Sequence, residues 1–110
     1  MRIILCCAGG FSTTMLMDSM KATVKKSQKL DEKDFSFKAI AVDQLQQELD
    51  GTDAVVIGPQ VSHKAEEIRK LTEPKGIVQV VVDKDTYGQM DGATVLKQVL
   101  IAKKKLEMEN

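Results

Sequence analysis

The sequence predicts an α/β fold, a three-layer doubly wound sandwich whose four-stranded parallel sheet runs in the order 2-1-3-4 with helices on both faces. Three observations predict it. Short apolar runs alternate with stretches of helical periodicity along the whole chain, the pattern of βαβ units. The first and third runs, around Ile3-Ile4-Leu5 and Ala54-Val55-Val56-Ile57, carry no polar residue and belong in the middle. The second and fourth carry polar residues and belong at the edges. The order then reverses beside the first strand, and open parallel sheets bind ligands at the carboxyl ends of strands flanking such a reversal.

The first strand, Arg2-Ile3-Ile4-Leu5-Cys6-Cys7, runs into Ala8-Gly9-Gly10-Phe11-Ser12-Thr13-Thr14. Gly9 and Gly10 permit backbone angles and close approaches that a side chain forbids, so successive N–H groups can turn inward around an anion. Ser12 or Thr13 suits the N-cap of the next helix, whose positive end would face the same spot. A cysteine held there loses its proton easily and becomes a nucleophile. The plainer alternative is an ordinary strand-to-helix link after a buried core cysteine. The place of the loop at the predicted reversal favours a site.

Met15, Leu16, Met20, Thr23 and Val24 fall at helical spacing, which predicts a helix of about four turns with its methionines filling the core. Ser27 to Asp34 is a polar connection. Phe35, Phe37 and Ala39 alternate with Ser36 and Lys38, as in an edge strand with one exposed face. Asp43 is placed to cap a short helix that buries Leu45 and Leu49. After the turn Gly51-Thr52-Asp53 comes the third strand, Ala54 to Ile57, closed by Gly58-Pro59-Gln60. Pro59 suits the first turn of a helix that buries Val61, Ala65, Ile68 and Leu71. Pro74-Lys75-Gly76 ends that helix, and Ile77 to Val82 is the fourth strand, with Gln79 its one polar residue. A loop, Asp85-Thr86-Tyr87-Gly88-Gln89-Met90, precedes Asp91, which caps a last helix built on Val95, Leu96, Val99, Leu100 and Leu106. Its lysines, Lys103 to Lys105, suit a helix C-terminus.

With 110 residues the chain reads as one domain, 1–110, large enough for a core of its own. Lys plus Arg and Asp plus Glu number 16 each, so the net charge is zero, which argues against nucleic acid or an anionic membrane as the main partner. Aromatic residues make up 4% and there is no Trp, which removes the stacking platforms of single-strand binders. No run approaches a membrane span and no signal sequence is visible, so the expected location is cytoplasmic, without membrane insertion, and the expected free state is a monomer. Cys6 and Cys7 are adjacent and point to opposite faces of a strand, so they do not form a disulfide framework. With His63 the only histidine, no metal-ligand set stands out, and neither a metal nor another cofactor is expected.

Four chemistries compete for the cysteine loop. A tyrosine phosphatase needs Cys-x5-Arg, whose guanidinium binds the phosphoryl oxygens. Counted from Cys7 that position is Thr13, and from Cys6 it is Ser12. Without the arginine, a site could take a phosphoryl group on sulfur yet release it to water slowly, as a relay would. A nucleotide loop would need Gly-Lys-Ser/Thr or Gly-x-Gly-x-x-Gly, and both are absent. A redox site would need a well-placed resolving thiol. A receiver domain would need acids where Cys6-Cys7 and Gly58-Pro59 stand.

Cys7-Ala8-Gly9-Gly10-Phe11-Ser12-Thr13 resembles the cysteine loop of enzyme IIB of the sugar phosphotransferase system, lactose/cellobiose type. The likeness continues in Ile57-Gly58-Pro59-Gln60 and in Tyr87-Gly88-x-x-Asp91-Gly92, in the same order over nearly the whole chain. The resemblance implies a phosphotransferase that works through a phosphocysteine. The phosphoryl group would come from a phosphohistidine on a IIA partner and pass to a sugar held by the membrane-bound IIC permease. Carried over by position, Cys7 matches the phosphorylated cysteine, and Ala8, Gly9, Gly10, Phe11, Ser12 and Thr13 match the loop around the phosphoryl group. Cys6 reads as a strand residue without a role. A β-linked disaccharide such as cellobiose, chitobiose or lactose is the sugar class that the resemblance implies.

Several residues keep two readings. Phe11, with Met15 and Met17, fits either a docking surface for a transient partner or, for Phe11, an inward loop anchor. Tyr87 either packs over the cysteine loop or anchors its own loop, and Gln60 either supplies an amide near the site or begins a helix. His63 reads as a solvated surface residue. The alternative to the carrier is a phosphatase-like or redox enzyme using the same cysteine.

Overall fold

The computed structural model describes residues 1–7 and 12–109, with the backbone alone at residues 12, 13 and 109. Four strands, β1 (Arg2–Cys7), β2 (Ser36–Ala41), β3 (Ala54–Ile57) and β4 (Val78–Val81), form one sheet in the order β2-β1-β3-β4. All three pairings are parallel. The predicted order is therefore the observed one. The helices are α1 (Ser12–Lys26), α2 (Ala65–Thr72), α3 (Lys84–Gly88) and α4 (Gly92–Glu109), with 3-10 turns at Glu32–Asp34, Val42–Glu48, Pro59–Lys64 and Glu73–Lys75.

Two apolar clusters hold the layers together, because alternate residues of a strand face opposite sides of the sheet. On one face Ile3, Leu5, Val56 and Val80 meet Leu16, Met20 and Val24 of α1 and Val95, Leu96 and Val99 of α4. On the other, Ile4, Cys6, Val55 and Ile57 meet Leu45, Leu49, Val61 and Ile68. Ile3, Ile4 and Leu5 are fully buried, and each contributes about 1.5–3 kcal/mol relative to an exposed position. That is why β1 lies in the middle. The edge strands differ as expected: Phe35, Phe37 and Ala39 pack on the α1 side while Lys38 is exposed, and Val81 of β4 is 43% exposed.

Several local expectations need correction. Of the stretch Asp85–Met90, expected as a loop, Asp85–Gly88 folds as part of α3, because the Asp83 carboxylate accepts hydrogen bonds from the Thr86 N–H at 3.2 Å and the Thr86 hydroxyl at 2.6 Å, and only Gln89 and Met90 form a turn. Asp43 does not cap the Val42–Glu48 turn; Ala41 holds the cap position without a side-chain bond, and Asp43 pairs with Lys64 at 3.5 Å. The helix expected from Pro59 begins as a 3-10 turn, broken at Val61 (φ −121°), and becomes α-helical only at Ala65. Met15 is 60% exposed and does not fill the core, whereas Met20 is fully buried. Lys103–Lys105 stand inside α4, which continues to Glu109.

Other local readings agree with the structure. Asp91 caps α4 by accepting from the Thr94 N–H at 3.1 Å and its hydroxyl at 2.7 Å. Gly76 ends the α2 region in the left-handed conformation, φ +71°.

Candidate functional site

β1 and β3 are neighbours in space yet not consecutive in sequence, so the chain leaves their carboxyl ends in opposite directions. In open parallel sheets, ligands bind beside such a divergence. β1 contributes Cys6 and Cys7, β3 contributes Ile57 and then Gly58, and α3 contributes Tyr87.

The two cysteines stand in different surroundings. Cys6 is fully buried in the apolar cluster of Ile4, Ile40 and Ile57. Burial, and then the neighbouring Cys7, push its thiol up to about 12. It is a core residue with almost no thiolate at neutral pH. Cys7, 7% exposed, is the last residue of β1, and its Sγ lies 3.8 Å from the Ile40 carbonyl oxygen as a weak donor. Alternation along one strand separates the pair, so a single residue step divides a core thiol from one at the strand's end.

Gly58 organises the opposite side. Its N–H donates to the Cys6 carbonyl at 3.1 Å. A Cβ on Gly58 would stand 2.8 Å from Gln60 Oε1, 3.5 Å from the Cys6 oxygen and 3.6 Å from Tyr87 Cε2. The Gln60 amide therefore folds back over Gly58, and the Tyr87 ring covers it from the α3 side. Gln60 is the second residue of the Pro59–Lys64 turn, and its amide oxygen lies against Gly58. Tyr87, 6% exposed, joins the apolar cluster under α1 and α4.

Of the other residues singled out, Ala8, Gly9, Gly10 and Phe11 lie outside the described residues, and so does the Phe11 docking-or-anchor question. Ser12 and Thr13 open α1. Met17 is half-buried against the α1–α4 cluster, and His63 is exposed on the Pro59–Lys64 turn. Two features of this end escaped the sequence reading. One is the seat of Gly92 on α1, which a glycine inside a capped helix start does not announce. The other is the Asp83 cap, although Asp83 and Thr86 have the same spacing as Asp91 and Thr94.

Among the described residues no group of three or more His, Cys, Asp or Glu side chains could hold a metal ion. Among them, too, no helix is long and apolar enough to cross a membrane.

Comparison with known proteins agrees with the fold. Residues 2–98 match the family model described as the lactose/cellobiose-specific IIB subunit of the PTS system. The chain is 32% identical over 99 residues to the oligo-beta-mannoside-specific EIIB component of Bacillus subtilis, covering 90% of this chain and 92% of that protein. It is also 32% identical over 99 residues to the galactose-specific EIIB component of Lactococcus lactis subsp. cremoris, covering 86% and 88%. Its fold superposes on the lactose-specific IIB component domain from Streptococcus pneumoniae with a TM-score of 0.80 at 17% identity, covering 93% of this chain and 96% of that one. The match of almost the full chain to one family model, with relatives above 30% identity, means that the chain belongs to the lactose/cellobiose-specific IIB family of the phosphotransferase system.

Proposed function

We propose that this chain is a cytoplasmic phosphoryl carrier in which the Cys7 sulfur takes a phosphoryl group from a phosphohistidine on a IIA protein and gives it to a sugar bound by a IIC permease. The observation that carries the reading is the position of Cys7 at the end of β1, beside the reversal of strand order and directly before the loop and helix. In the first step an S–P bond forms at Cys7 as the N–P bond of the donor breaks, and the electron pair stays on the imidazole nitrogen. In the second, a sugar hydroxyl oxygen forms an O–P bond, the S–P bond breaks, the pair returns to sulfur as thiolate, and the hydroxyl proton passes to water.

Little covalent chemistry is asked of the protein, so catalysis rests on in-line positioning and on donors to the equatorial oxygens. In this reading Ala8 to Thr13 surround the phosphoryl group, with N–H groups of the first turn of α1 among the donors. Gln60 and Tyr87 stand at the rim. No metal and no other cofactor takes part. The whole chain, 1–110, acts as one domain.

Sugar choice belongs to the permease in this reading. Two relatives of equal identity, named for oligo-beta-mannoside and for galactose, support that assignment. The absence of arginine at Ser12 and Thr13 supports a relay over a hydrolase.

The test compares two phosphoryl sources. With phosphoenolpyruvate, the general phosphotransferase proteins and a matching IIA protein, the chain should gain one phosphoryl group, and the gain should vanish when IIA is left out. Turnover of an aryl phosphate by the chain alone would overturn the reading in favour of a phosphatase.

A further inference from the structure

β1 ends at Cys7 and α1 starts at Ser12, so only four residues join them. The reach of so few residues ties the position of one end to that of the other. One other segment of the chain, Tyr87 to Gly92, touches the supports of both ends.

At the first end, the Tyr87 ring lies on Gly58, 3.6 Å from the Cβ position, and the Gly58 N–H is bonded to the Cys6 carbonyl at 3.1 Å. At the second, Gly92 sits directly on the α1 backbone. A Cβ there would lie 2.4 Å from Met20 N, 2.6 Å from the Ser19 carbonyl carbon and 2.6 Å from Ser19 Oγ. The Gly92 N–H also donates to Ser19 Oγ at 3.0 Å.

The four residues between these contacts are themselves tied down. Asp91 N–H donates to the Thr86 carbonyl at 3.1 Å and Met90 N–H to the Tyr87 carbonyl at 3.0 Å, with Met90 in the left-handed region at φ +50°. The Asp83 and Asp91 caps close it at both sides.

We propose that Tyr87–Gly92 is a positioning clamp that fixes the end of β1 relative to the start of α1, and so sets the geometry in which the Cys7 sulfur reacts. The inference rests on Cys7 as the reacting group. Tyr87, Gly92 and Ser19 act through the elements that they hold and need not touch the phosphoryl group. The atoms facing the Gly92 Cβ position are mostly backbone, so a methyl there forces α1 and α4 apart by on the order of 1 Å, and a misplacement of that size costs up to about a hundredfold in rate.

The experiment reads Cys7 alkylation by iodoacetamide as a function of pH, mapped by peptide, beside the rate of phosphoryl acceptance from a phosphorylated IIA protein. Gly92→Ala is expected to move the midpoint of the alkylation profile and to slow acceptance about tenfold or more. Ser19→Ala, which keeps the backbone contact, should move both in the same direction by a smaller factor, and so should Tyr87→Leu. Ile68→Ala, in the cluster on the opposite face, should lower Tm and leave the midpoint in place.

Folded Gly92→Ala and Ser19→Ala proteins with the wild-type profile and acceptance rate would overturn the clamp. Should Gly92→Ala not fold, Ser19→Ala and Tyr87→Leu decide by the same two readouts. If instead the wild-type chain takes no phosphoryl group at Cys7 while the alkylation midpoint still moves in the variants, the carrier reading fails and the clamp stands.

Discussion

The backbone N–H of Gly58 donates to the carbonyl oxygen of Cys6 across 3.1 Å, one step beyond Cys6 and Ile57, the last paired residues of β1 and β3. The strand end that carries Cys7 is thereby held by a residue with no side chain, under the Tyr87 ring and the Gln60 amide.

That seat discriminates between small and branched substitutions at Gly58. Alanine meets only the far end of Gln60 closer than an ordinary contact, at 2.8 Å, and that exposed side chain can swing aside. Gly58→Ala should therefore lower stability by less than about 1 kcal/mol. Gly58→Val pushes two further methyl groups toward Tyr87 and the Cys6 carbonyl and should lower it by about 1–3 kcal/mol. Urea titrations of the two variants check the ranking.

The two thiols should differ sharply in reactivity. With its thiol near 12 and no exposed surface, Cys6 holds about one part in ten thousand as thiolate at pH 8. Alkylation of the native chain should label one residue, Cys7, and label Cys6 only after denaturation. Cys6→Ala should keep phosphoryl acceptance. Mass mapping of the labelled peptides, before and after guanidinium, reads the outcome, and native labelling at Cys6 would contradict the burial account.

The layout of the sheet was legible because it follows from burial alone. Ile3-Ile4-Leu5 and Ala54–Ile57 can be satisfied only between two helical layers, and Phe37 alternating with Lys38 only at an edge. What the sequence reading missed is set by single hydrogen bonds or by distant backbone. α3 depends on one carboxylate, Asp83, reaching Thr86, and the 3-10 start after Pro59 depends on one dihedral pair at Val61. The same holds at the site. Cys7 stood out by its place at a strand end before two glycines, and Tyr87 and Gln60 as neighbours of other strand ends. The seat of Gly92 on Ser19 and Met20 joins residues 73 positions apart, which no local pattern carries.

The opposite end of the sheet predicts the response to acid. Glu48 accepts from Lys38 at 2.7 Å and from Arg2 at 2.6 Å. The hydrogen bond from Lys38, followed by that from Arg2, holds its carboxyl below the ordinary 4.5. A carboxyl lowered in the folded state adds stability that is complete above its unfolded value and is lost as pH falls through the folded one. Between pH 5 and pH 3 the wild type should lose more Tm than Glu48→Gln. The difference should shrink at 1 M salt, because the pair reaches solvent. Equal losses in the two proteins would remove Glu48 from the acid response. Asp83 and Asp91, also lowered chiefly by their threonine partners Thr86 and Thr94, are common to both proteins and cancel.

The carrier reading is tested most directly by where the phosphoryl group sits. After incubation with phosphoenolpyruvate, the general phosphotransferase proteins and a IIA protein, peptide mapping should find one phosphoryl group on Cys7. Cys7→Ser should carry none, while Cys6→Ser and His63→Ala should carry it as the wild type does. A label on His63, or a Cys7→Ser protein phosphorylated as fully as the wild type, would contradict the account.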